Sequence, residues 1–234
     1  MVAILFEDGH LVAVDKPPGR LVIPGRGVPE RTLQEELAER LGRLWVVHRL
    51  DRGTSGVLVF ARTAEAHRAL NLAFDRREVE KRYVAIVRGE PPAVARIEAP
   101  IAPARRGRMR PARPGDPKAK EAATEIRVLE RFPARADLAL PALALVEALP
   151  ETGRTHQIRV HLAFAGTPLA VDPDYGDEGP LAAGGEVLLE RTPLHAAHLA
   201  LRHPATEERL LLEAPLPADM ARTIEVARGP TRSP

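Results

Sequence analysis

The segment from His48 to Gly56, HRLDRGTSG, contains the residue types in this chain that are best suited to chemistry. Its carboxylate, Asp51, lies between Arg49 and Arg52, and neighbouring guanidinium groups favour the ionised form of an aspartate. An ionised carboxylate can act as a nucleophile or as a general base. The same residues are also typical of a structural ion pair that fixes a loop, and their spacing supports both interpretations.

A second cluster lies at positions 151 to 161, ETGRTHQIRVH, where the pattern predicts the start of a helix with Thr155 as its N-cap. The backbone donors and the dipole of a helix start favour an anion near Thr155. Arg154 or Arg159 could pair with a carboxylate or a phosphate. A solvated helix start explains the same pattern equally well.

Tyr83 is one of two tyrosines in a chain whose aromatic content is 3%. It lies in the strand-like segment KRYVAIV, where a tyrosine is usually a core ring whose hydroxyl reaches a partner at the edge. A ring that reaches the surface would instead provide a platform for stacking on a nucleobase. The sequence leaves both interpretations open.

Histidines and a serine suggest two other kinds of site. A zinc site would use His195, His198 and His203, or His156 with His161, but the chain has neither an H-E-x-x-H motif nor the helical H-x-x-x-H spacing. A hydrolase triad built on the serine of GTSG lacks the G-x-S-x-G elbow. We therefore expect no metal site. The sequence supports a hydrolase triad even less than it supports a metal site.

Turn and capping residues predict the elements that must position these clusters. A β-hairpin is expected around Asp8-Gly9, and a helix capped by Thr32 and Glu35 is expected to end at Gly42. A second helix is predicted from residue 63 to near residue 75. A third is predicted after Thr155, with Ile158, Leu162 and Ala165 on one face and Gly166 at its end. Strand patterns occur at 44–47, 57–60, 81–87, 123–129, 143–149, 194–201 and 210–213.

Many strands joined by short turns, with few helices and no steady alternation, predict an α+β fold. We expect a mixed, mainly antiparallel sheet with flanking helices and loops. Without repeats or a sharp change in composition, residues 1–234 are predicted to form a single domain, with a basic loop at 103–120 and a frayed tail at 228–234. The absence of G-x-G-x-x-G and G-x-x-x-x-G-K-[ST] removes the usual reason to expect dinucleotide or triphosphate binding.

The composition excludes further classes of protein. The chain has no cysteine, which excludes disulfides, thiolate metal sites and cysteine nucleophiles. No apolar run approaches the roughly 20 residues of a membrane span, and the start does not resemble a signal peptide, so we expect a cytoplasmic protein. Among the 34 basic residues all but four are arginine. This excess suits RNA binding, and a GC-rich genome that favours arginine codons would explain it equally well.

Four blocks follow one another between residues 47 and 204: VHRLDRGTSGVLVFAR, KRYVAIVRG, TGRTHQIRVHLAFAGTPLAVDPDYG and LHAAHLALRHP. Together with KPPG after the opening hairpin, they resemble the RluA-like family of RNA pseudouridine synthases. The resemblance covers nearly the whole chain. It implies the pseudouridine synthase catalytic fold, and the isomerisation of chosen uridines to pseudouridine in structured ribosomal or transfer RNA.

Carried over motif by motif, the resemblance implies that Asp51 is the catalytic aspartate. It also implies that Tyr83 packs on the target base as a candidate to assist proton removal, and that Arg159 pairs with Asp51. Arg49 matches a position that helps to displace the target nucleotide, which must be flipped out before its uracil is detached at N1 and rejoined at C5. The residues with implied roles in substrate binding are His48, Arg49, Thr54, Arg154, His156 and Gln157.

The resemblance implies neither a cofactor nor a metal, because cutting and remaking one bond needs no redox step. RNA is the expected partner, with no membrane and no obligate protein partner. The chain is expected to begin directly at the catalytic domain, so the loop at 103–120 becomes the candidate for target selection, although a solvated surface loop has the same composition. Its RNA-binding candidates are Arg105, Arg106, Arg108, Arg110, Lys118 and Lys120.

Two rival functions compete with an isomerase. The first is an RNA-binding or RNA-folding factor that keeps the scaffold without catalysis, and the intact Asp51, Tyr83 and Arg159 count against it. The second is a metal-dependent hydrolase that uses the histidines of the LHAAHLALRHP block, and it predicts stoichiometric bound zinc.

Overall fold

The structure is a computed structural model that describes residues 2–25 and 30–229. Its helices are α1 (Leu33–Leu41), α2 (Ala64–Asp75), α3 (Gln157–Phe164) and α4 (Ala218–Arg228). Its strands are β1 (Ala3–Glu7), β2 (Leu11–Lys16), β3 (Trp45–Val46), β4 (Ser55–Ala61), β5 (Glu80–Arg88), β6 (Val94–Glu98), β7 (Ile101–Pro103), β8 (Met109–Pro111), β9 (Ala123–Phe132), β10 (Leu143–Pro150), β11 (Leu181–Ala183), β12 (Glu186–Leu189), β13 (Leu194–Arg202) and β14 (Arg209–Glu213).

The predicted α+β class is confirmed, because strands dominate and do not alternate steadily with helices. The chain divides into two compact units. The first unit is Met1–Arg82 with His195–Pro215, and the second unit is Tyr83–Leu194 with Leu216–Pro234. The expectation of a single catalytic domain over residues 1–234 stays a prediction.

The first unit contains a mixed sheet in the order β1-β2-β4-β13, with β14 paired to β13 and β3 paired to β4. The pairing of β13 with β4 is parallel, and the other pairings in this unit are antiparallel. Every residue of β4 is buried, and Ala66 and Leu70 of α2 belong to the same apolar core. The strand that follows Asp51 is therefore a rigid support.

The predicted hairpin and the first two helices are confirmed. Asp8 Oδ1 accepts hydrogen bonds from the backbone N–H groups of His10 and Leu11, both at 2.8 Å, which closes the turn between β1 and β2. Thr32 and Glu35 form the capping box of α1. Helix α2 begins after Thr63, whose side chain accepts from the N–H of residue 66, and it ends at residue 75 as expected.

The second unit contains an antiparallel sheet in the order β5-β10-β9-β6. Its core includes Ile86, Leu143 and Met220, the last of which lies on α4. Helix α4 was not predicted from the sequence, because it follows Pro217 without a side-chain cap and its buried positions are spaced among exposed polar residues. The small β11–β12 hairpin was also missed.

The start of the third helix differs from the prediction. Thr155 is not its N-cap, because α3 begins at Gln157 after His156, whose left-handed backbone (φ 55°, ψ 20°) separates Thr155 from the helix. The side chain of Gln157 instead accepts a hydrogen bond from the N–H of Arg154 at 3.0 Å. Ile158 and Leu162 are buried helical residues, but Ala165, predicted on the same face, is the exposed residue that follows the last residue of the helix.

The basic stretch before β9 is partly regular. Strands β7 and β8 form an antiparallel hairpin whose tip is a 3-10 turn at Arg105–Gly107. We call residues 101–111 the basic hairpin. The tail predicted at 228–234 begins within α4, since Arg228 is a helical residue that pairs with Glu130 at 2.6 Å. Residues 230–234 lie outside the described residues.

Candidate active site

A buried lysine supports the loop that contains Asp51. The side chain of Lys16 is fully buried, and its ammonium group donates to the carbonyl oxygens of Pro17 (3.1 Å), Arg52 (3.2 Å) and Thr54 (2.7 Å). A buried ammonium is costly unless its donors are used, so these bonds fix both the lysine and the loop. The KPPG motif entered the sequence prediction only through the family resemblance, and the contact of Lys16 with the loop was not predicted.

The Asp51 loop is also held by hydrogen bonds within the loop and to Gly19. The N–H of Thr54 donates to the carbonyl of Asp51 at 3.1 Å, and the N–H of Gly19 donates to the carbonyl of Arg52 at 2.8 Å. In return, the side-chain Nε of Arg52 donates to the carbonyl of Gly19 at 3.1 Å. Gly19 has a φ of 83°, which suits glycine at this tight approach. Asp51 itself is half-buried, and it therefore reaches the surface from a well-supported loop.

Thr54 carries an unsatisfied hydroxyl. Among the described residues, its Oγ1 is the only buried side-chain polar atom without a hydrogen-bond partner, and the residue is 2% exposed. A buried hydroxyl without a partner costs about 1–3 kcal/mol. Such an atom in the same loop as Asp51 is a candidate for a contact made only when substrate is bound.

His48 serves the loop as a neutral ring. Its Nε2 accepts the N–H of Val59 at 3.0 Å, and its ring stacks on Phe74 with centroids 4.8 Å apart. Burial, helped by the positive charge of Lys81, lowers the pKa of His48 to about 3. A neutral Nε2 acceptor agrees with this direction. Next to it, Arg49 is exposed to solvent.

Ser55 and Gly56, which end the HRLDRGTSG segment, are fixed by β13. Ser55 Oγ lies 3.0 Å from His195 Nδ1, and both side chains are almost completely buried. Gly56 has a φ of 110°, and a Cβ added there would lie 2.7 Å from the carbonyl carbon of Ala196. The serine–histidine pair is therefore a buried strand contact and not an accessible triad.

Gln157 fixes the start of α3 in the second unit. Its Oε1 accepts from Thr152 Oγ1 (2.5 Å) and from the N–H of Arg154 (3.0 Å). Its Nε2 donates to the carbonyl of Ala123 (2.9 Å) and to Thr124 Oγ1 (3.0 Å). These contacts use both ends of the amide, so the predicted substrate contact of Gln157 would have to replace one of them.

Arg159 lies on the first turn of α3 and is held by an acidic turn, residues 172–176 (DPDYG). Its guanidinium makes a two-pronged ion pair with Asp172, at 2.8 and 2.7 Å, and a further bond to Asp174 at 2.8 Å. The ring of Tyr175 lies under the guanidinium, 4.9 Å from its carbon. The sequence did not predict that these carboxylates bind Arg159, and the pairing of Arg159 with Asp51 stays a prediction.

The other predicted residues of this cluster flank Arg159. His156 Nδ1 lies 2.7 Å from the hydroxyl of Tyr175, and Arg154 Nε donates to the carbonyl of Glu121 at 3.0 Å. Tyr83 lies at the start of the second unit, half-buried on β5 opposite Ala148. Its ring packs partly against the apolar core, which leaves part of it exposed.

The histidines considered for zinc have separate partners. Those partners are Ser55 for His195, Glu213 for His198, Asp8 for His203, Tyr175 for His156 and Thr124 for His161. Within residues 2–25 and 30–229, no three histidine, cysteine, aspartate or glutamate side chains are grouped so that they could hold a metal ion.

The RNA-binding candidates of residues 103–120 fall into two groups. Arg108 pairs with Asp174 at 3.0 Å, and Arg110 pairs with Asp116. The others are exposed side chains: Arg105, Arg106, Lys118 and Lys120. In the part of the chain that the structure describes, no helix is both long enough and apolar enough to span a membrane.

The predicted site residues thus fall into two local groups. In the first unit, His48, Arg49, Asp51 and Thr54 share one supported loop. In the second unit, Arg154, His156, Gln157 and Arg159 gather at the start of α3, with Tyr83 on β5. Each group presents residues able to handle an anionic or polar substrate.

Comparison with known proteins agrees with the sequence blocks. A family model described as RNA pseudouridylate synthase matches residues 10–164. A ribosomal large subunit pseudouridine synthase D of Nitrosomonas europaea is 42% identical over 236 residues, which cover 97% of this chain and 65% of that protein. A synthase D of Xanthomonas campestris is 39% identical over 238 residues, covering 96% of this chain and 69% of that protein.

Solved structures point to the same family. Human RNA Pseudouridylate Synthase Domain Containing 4 is 30% identical with a TM-score of 0.73, over 97% of this chain and 93% of that one. Human RNA Pseudouridylate Synthase Domain Containing 1 is 25% identical with a TM-score of 0.75, over 98% and 96%. Because the family model spans more than half of the chain, this protein belongs to the RNA pseudouridylate synthase family, within its RluA-like group.

Proposed function

We propose that this protein isomerises specific uridines to pseudouridine in the RNA of the large ribosomal subunit. The observation that carries the proposal is the family match over residues 10–164, which includes both the Asp51 loop and Arg159. The relatives from Nitrosomonas and Xanthomonas bear the name of ribosomal large subunit pseudouridine synthases. This chain spans 65% and 69% of their lengths, so their activity is assigned here as a proposal.

In the proposed reaction the N1–C1′ bond of a flipped-out uridine breaks and a C5–C1′ bond forms. The proton on C5 leaves and a proton arrives at N1, so the product has the composition of the substrate and the reaction needs no oxidant or reductant. Asp51 is assigned as the catalytic carboxylate at the ribose or the base. A confined uracil is essential, because water that captured the detached sugar would turn an isomerase into a hydrolase.

The remaining roles follow from residue type and position. Tyr83 is assigned to stack on the uracil, Arg159 to pair with Asp51, and Arg49 to displace the target nucleotide. Thr54, with its unsatisfied hydroxyl, is assigned a polar contact to the substrate. The rigid support from Lys16 suits a catalytic loop, which must hold its carboxylate within a few tenths of an ångström.

Two further assignments complete the proposal. RNA is the partner, contacted through the basic residues 103–120, and no cofactor is required. The site of action is assigned to the cytoplasm.

The test uses an unmodified transcript of large-subunit ribosomal RNA and maps pseudouridine by chemical labelling. Wild-type protein should modify discrete uridines, and Asp51→Asn should lower the rate by at least about a thousandfold. Asp137→Asn, which removes an exposed carboxylate paired with Arg135, is the matched control and should keep full activity. Binding without any modification by wild type would instead favour an RNA-binding factor.

A second variant tests the role of Tyr83. If the ring only stacks on the base, Tyr83→Phe should keep the turnover rate within about threefold, because the aromatic face remains. If the hydroxyl moves a proton, the same variant should lose at least about a hundredfold. An unchanged rate in Tyr83→Ala would remove Tyr83 from the site altogether.

A further inference from the structure

The acidic turn, residues 172–176, connects Arg159 with the basic hairpin. On one side, Asp172 and Asp174 hold the guanidinium of Arg159. On the other side, Arg108 of the hairpin pairs with Asp174 at 3.0 Å and donates to the carbonyl of Pro173 at 3.3 Å. The turn therefore shares one carboxylate, Asp174, between an arginine at the proposed site and an arginine of the hairpin.

Asp172 holds the acidic turn in one conformation, so that a displacement of the turn also displaces the guanidinium of Arg159. Its side chain is 1% exposed, and its Oδ1 accepts the N–H groups of Asp174 at 3.0 Å and Tyr175 at 3.3 Å. The N–H of Gly176 donates to its backbone carbonyl at 2.9 Å. A carboxylate that caps its own turn while pairing with Arg159 fixes the turn and the guanidinium together.

Tyr175 provides the second connection. Its hydroxyl accepts the N–H of Met109 in the hairpin at 2.7 Å, and it lies 2.7 Å from His156 Nδ1. An O–H group that accepts from Met109 can donate its own proton to the histidine. Burial raises the pKa of Tyr175, so this proton stays in place at neutral pH.

Apolar packing joins the same elements. Val160, next to Arg159 on α3, lies in a small cluster with Ile101 of the hairpin, and Met109 and Tyr175 pack against it. The ion pairs, the tyrosine hydroxyl and this cluster are independent contacts, yet all of them join the hairpin to the first turn of α3. A shift of the hairpin must therefore move the acidic turn, the guanidinium of Arg159, or both.

We propose that Tyr175, Asp174 and Arg108 are positioning residues that set the guanidinium of Arg159 from the basic hairpin. In this arrangement Arg108 does more than attract phosphate: it restrains Asp174, which restrains Arg159. RNA that seats the hairpin thereby sets the arginine assigned to pair with Asp51. This inference rests on the proposed function, and it adds a role for a hairpin that would otherwise serve binding alone.

The experiment separates positioning from binding. It measures the single-turnover rate of pseudouridine formation at saturating transcript of large-subunit ribosomal RNA, and separately the dissociation constant of the same RNA. Tyr175→Phe keeps the ring under Arg159 and removes both hydroxyl contacts, so we expect the saturating rate to fall about tenfold while the dissociation constant changes less than twofold.

Arg108 gives a second and independent test. A residue that only contacts phosphate would raise the dissociation constant in Arg108→Gln and leave the saturating rate unchanged. Positioning predicts a fall of about tenfold in the saturating rate, partly rescued by Arg108→Lys, which keeps the charge facing Asp174. In a double variant with Asp174→Asn the two losses should not add, because both changes break the same connection.

Asp137→Asn is the matched control for Asp174→Asn and should match wild type in both measurements. Saturating rates within twofold of wild type for both Tyr175→Phe and Arg108→Gln would overturn the inference. If Tyr175→Phe fails to fold, the comparison of Arg108→Gln with Arg108→Lys decides the question alone. A wild-type protein that forms no pseudouridine would instead refute the proposed function, so the two failures are distinct.

Discussion

At the scale of the residue, the unpartnered hydroxyl of Thr54 costs the protein stability, and this cost indicates a contact with substrate. Its hydroxyl is buried in the loop that contains Asp51 and has no hydrogen-bond partner within the described residues. In the free protein this hydroxyl gains no hydrogen bond in return for its burial, so Thr54→Val should leave the free energy of unfolding unchanged or raise it by up to about 1 kcal/mol. If substrate satisfies the hydroxyl, kcat/KM for RNA should fall about tenfold.

Thr223 offers a matched control for this prediction. It is equally buried, but its Oγ1 donates to the carbonyl of Asp219 at 2.7 Å. Thr223→Val should therefore destabilise the protein by about 1 kcal/mol and leave turnover unchanged. Urea unfolding and initial rates measure both effects. A loss of stability in Thr54→Val as large as in Thr223→Val would show that the Thr54 hydroxyl is already bonded in the free protein.

At the scale of the element, Lys16 determines whether the Asp51 loop keeps its shape. Replacing it by methionine removes the donor for three carbonyl groups and leaves them near an apolar side chain. Lys16→Met should lower the free energy of unfolding by about 2–4 kcal/mol and reduce turnover even where the protein remains folded. The stability control is Lys118→Met, an exposed site, where the change should stay within about 0.5 kcal/mol. Equal stability of Lys16→Met and wild type would contradict this role.

Elements whose signals lie close together in sequence were predictable. Thr32 and Glu35 cap α1 through each other, and the turn at Asp8 closes on neighbouring N–H groups, so a short stretch contains the whole cause. The start of α3 was misplaced because His156 adopts a left-handed backbone, and its partner Tyr175 lies 19 residues later. Tertiary contacts determine where this helix begins, and capping rules, which consider only neighbouring residues, cannot predict such contacts.

The residues of the candidate site also divide into those that local sequence predicts and those that only tertiary contacts reveal. Motif blocks marked Asp51, Tyr83 and Arg159 because each block is continuous in sequence. The role of Lys16 was not predictable, since two of its contacts are to backbone carbonyls 36 and 38 residues away, and a carbonyl has no sequence signature. The carboxylates of the acidic turn stood in a quoted block, but the ion pair of Asp172 with Arg159 appears only in the folded chain.

At the scale of the whole molecule, buried neutral histidines set the response to acid. Burial lowers the pKa of His48 to about 3, and burial lowers the pKa of His161 as well, whereas an unfolded histidine titrates near about 6.5. As the pH falls from about 6.5 towards 3, the unfolded chain takes up protons that the folded protein does not bind. The free energy of unfolding must therefore decrease over this range and be largest above it.

The variant His48→Asn tests how much His48 contributes to this dependence of stability on pH. Between pH 7 and 5, the slope of the unfolding free energy against pH should be shallower in the variant, by at most about 1.4 kcal/mol per pH unit. Urea unfolding at several pH values measures this slope. His161→Asn should reduce the slope in the same direction, because its histidine is also buried and neutral. A slope in His48→Asn identical to that of wild type would show that His48 gains its proton in the folded state as readily as in the unfolded chain.

The distribution of charge also acts at the scale of the whole molecule. Net charge is only +2, so a general attraction to RNA is weak and binding must come from local clusters. Arg105 and Arg106 form the exposed tip of the basic hairpin, whereas Arg108 is paired with the acidic turn. The tip is thus the part of the hairpin whose charge is most available to phosphate.

This predicts a dependence on salt that is specific to the tip. Replacing Arg105 and Arg106 together by glutamine should reduce the slope of log K against log salt concentration by about 1.5, since each lost phosphate contact contributes about 0.7–0.9. The control replaces Arg222 and Arg228 of α4 by glutamine, which removes the same charge from arginines paired with Glu186 and Glu130. Filter binding over a range of salt concentrations measures both slopes. An equal reduction in the two variants would mean that overall charge attracts the RNA and that the hairpin tip does not contact it.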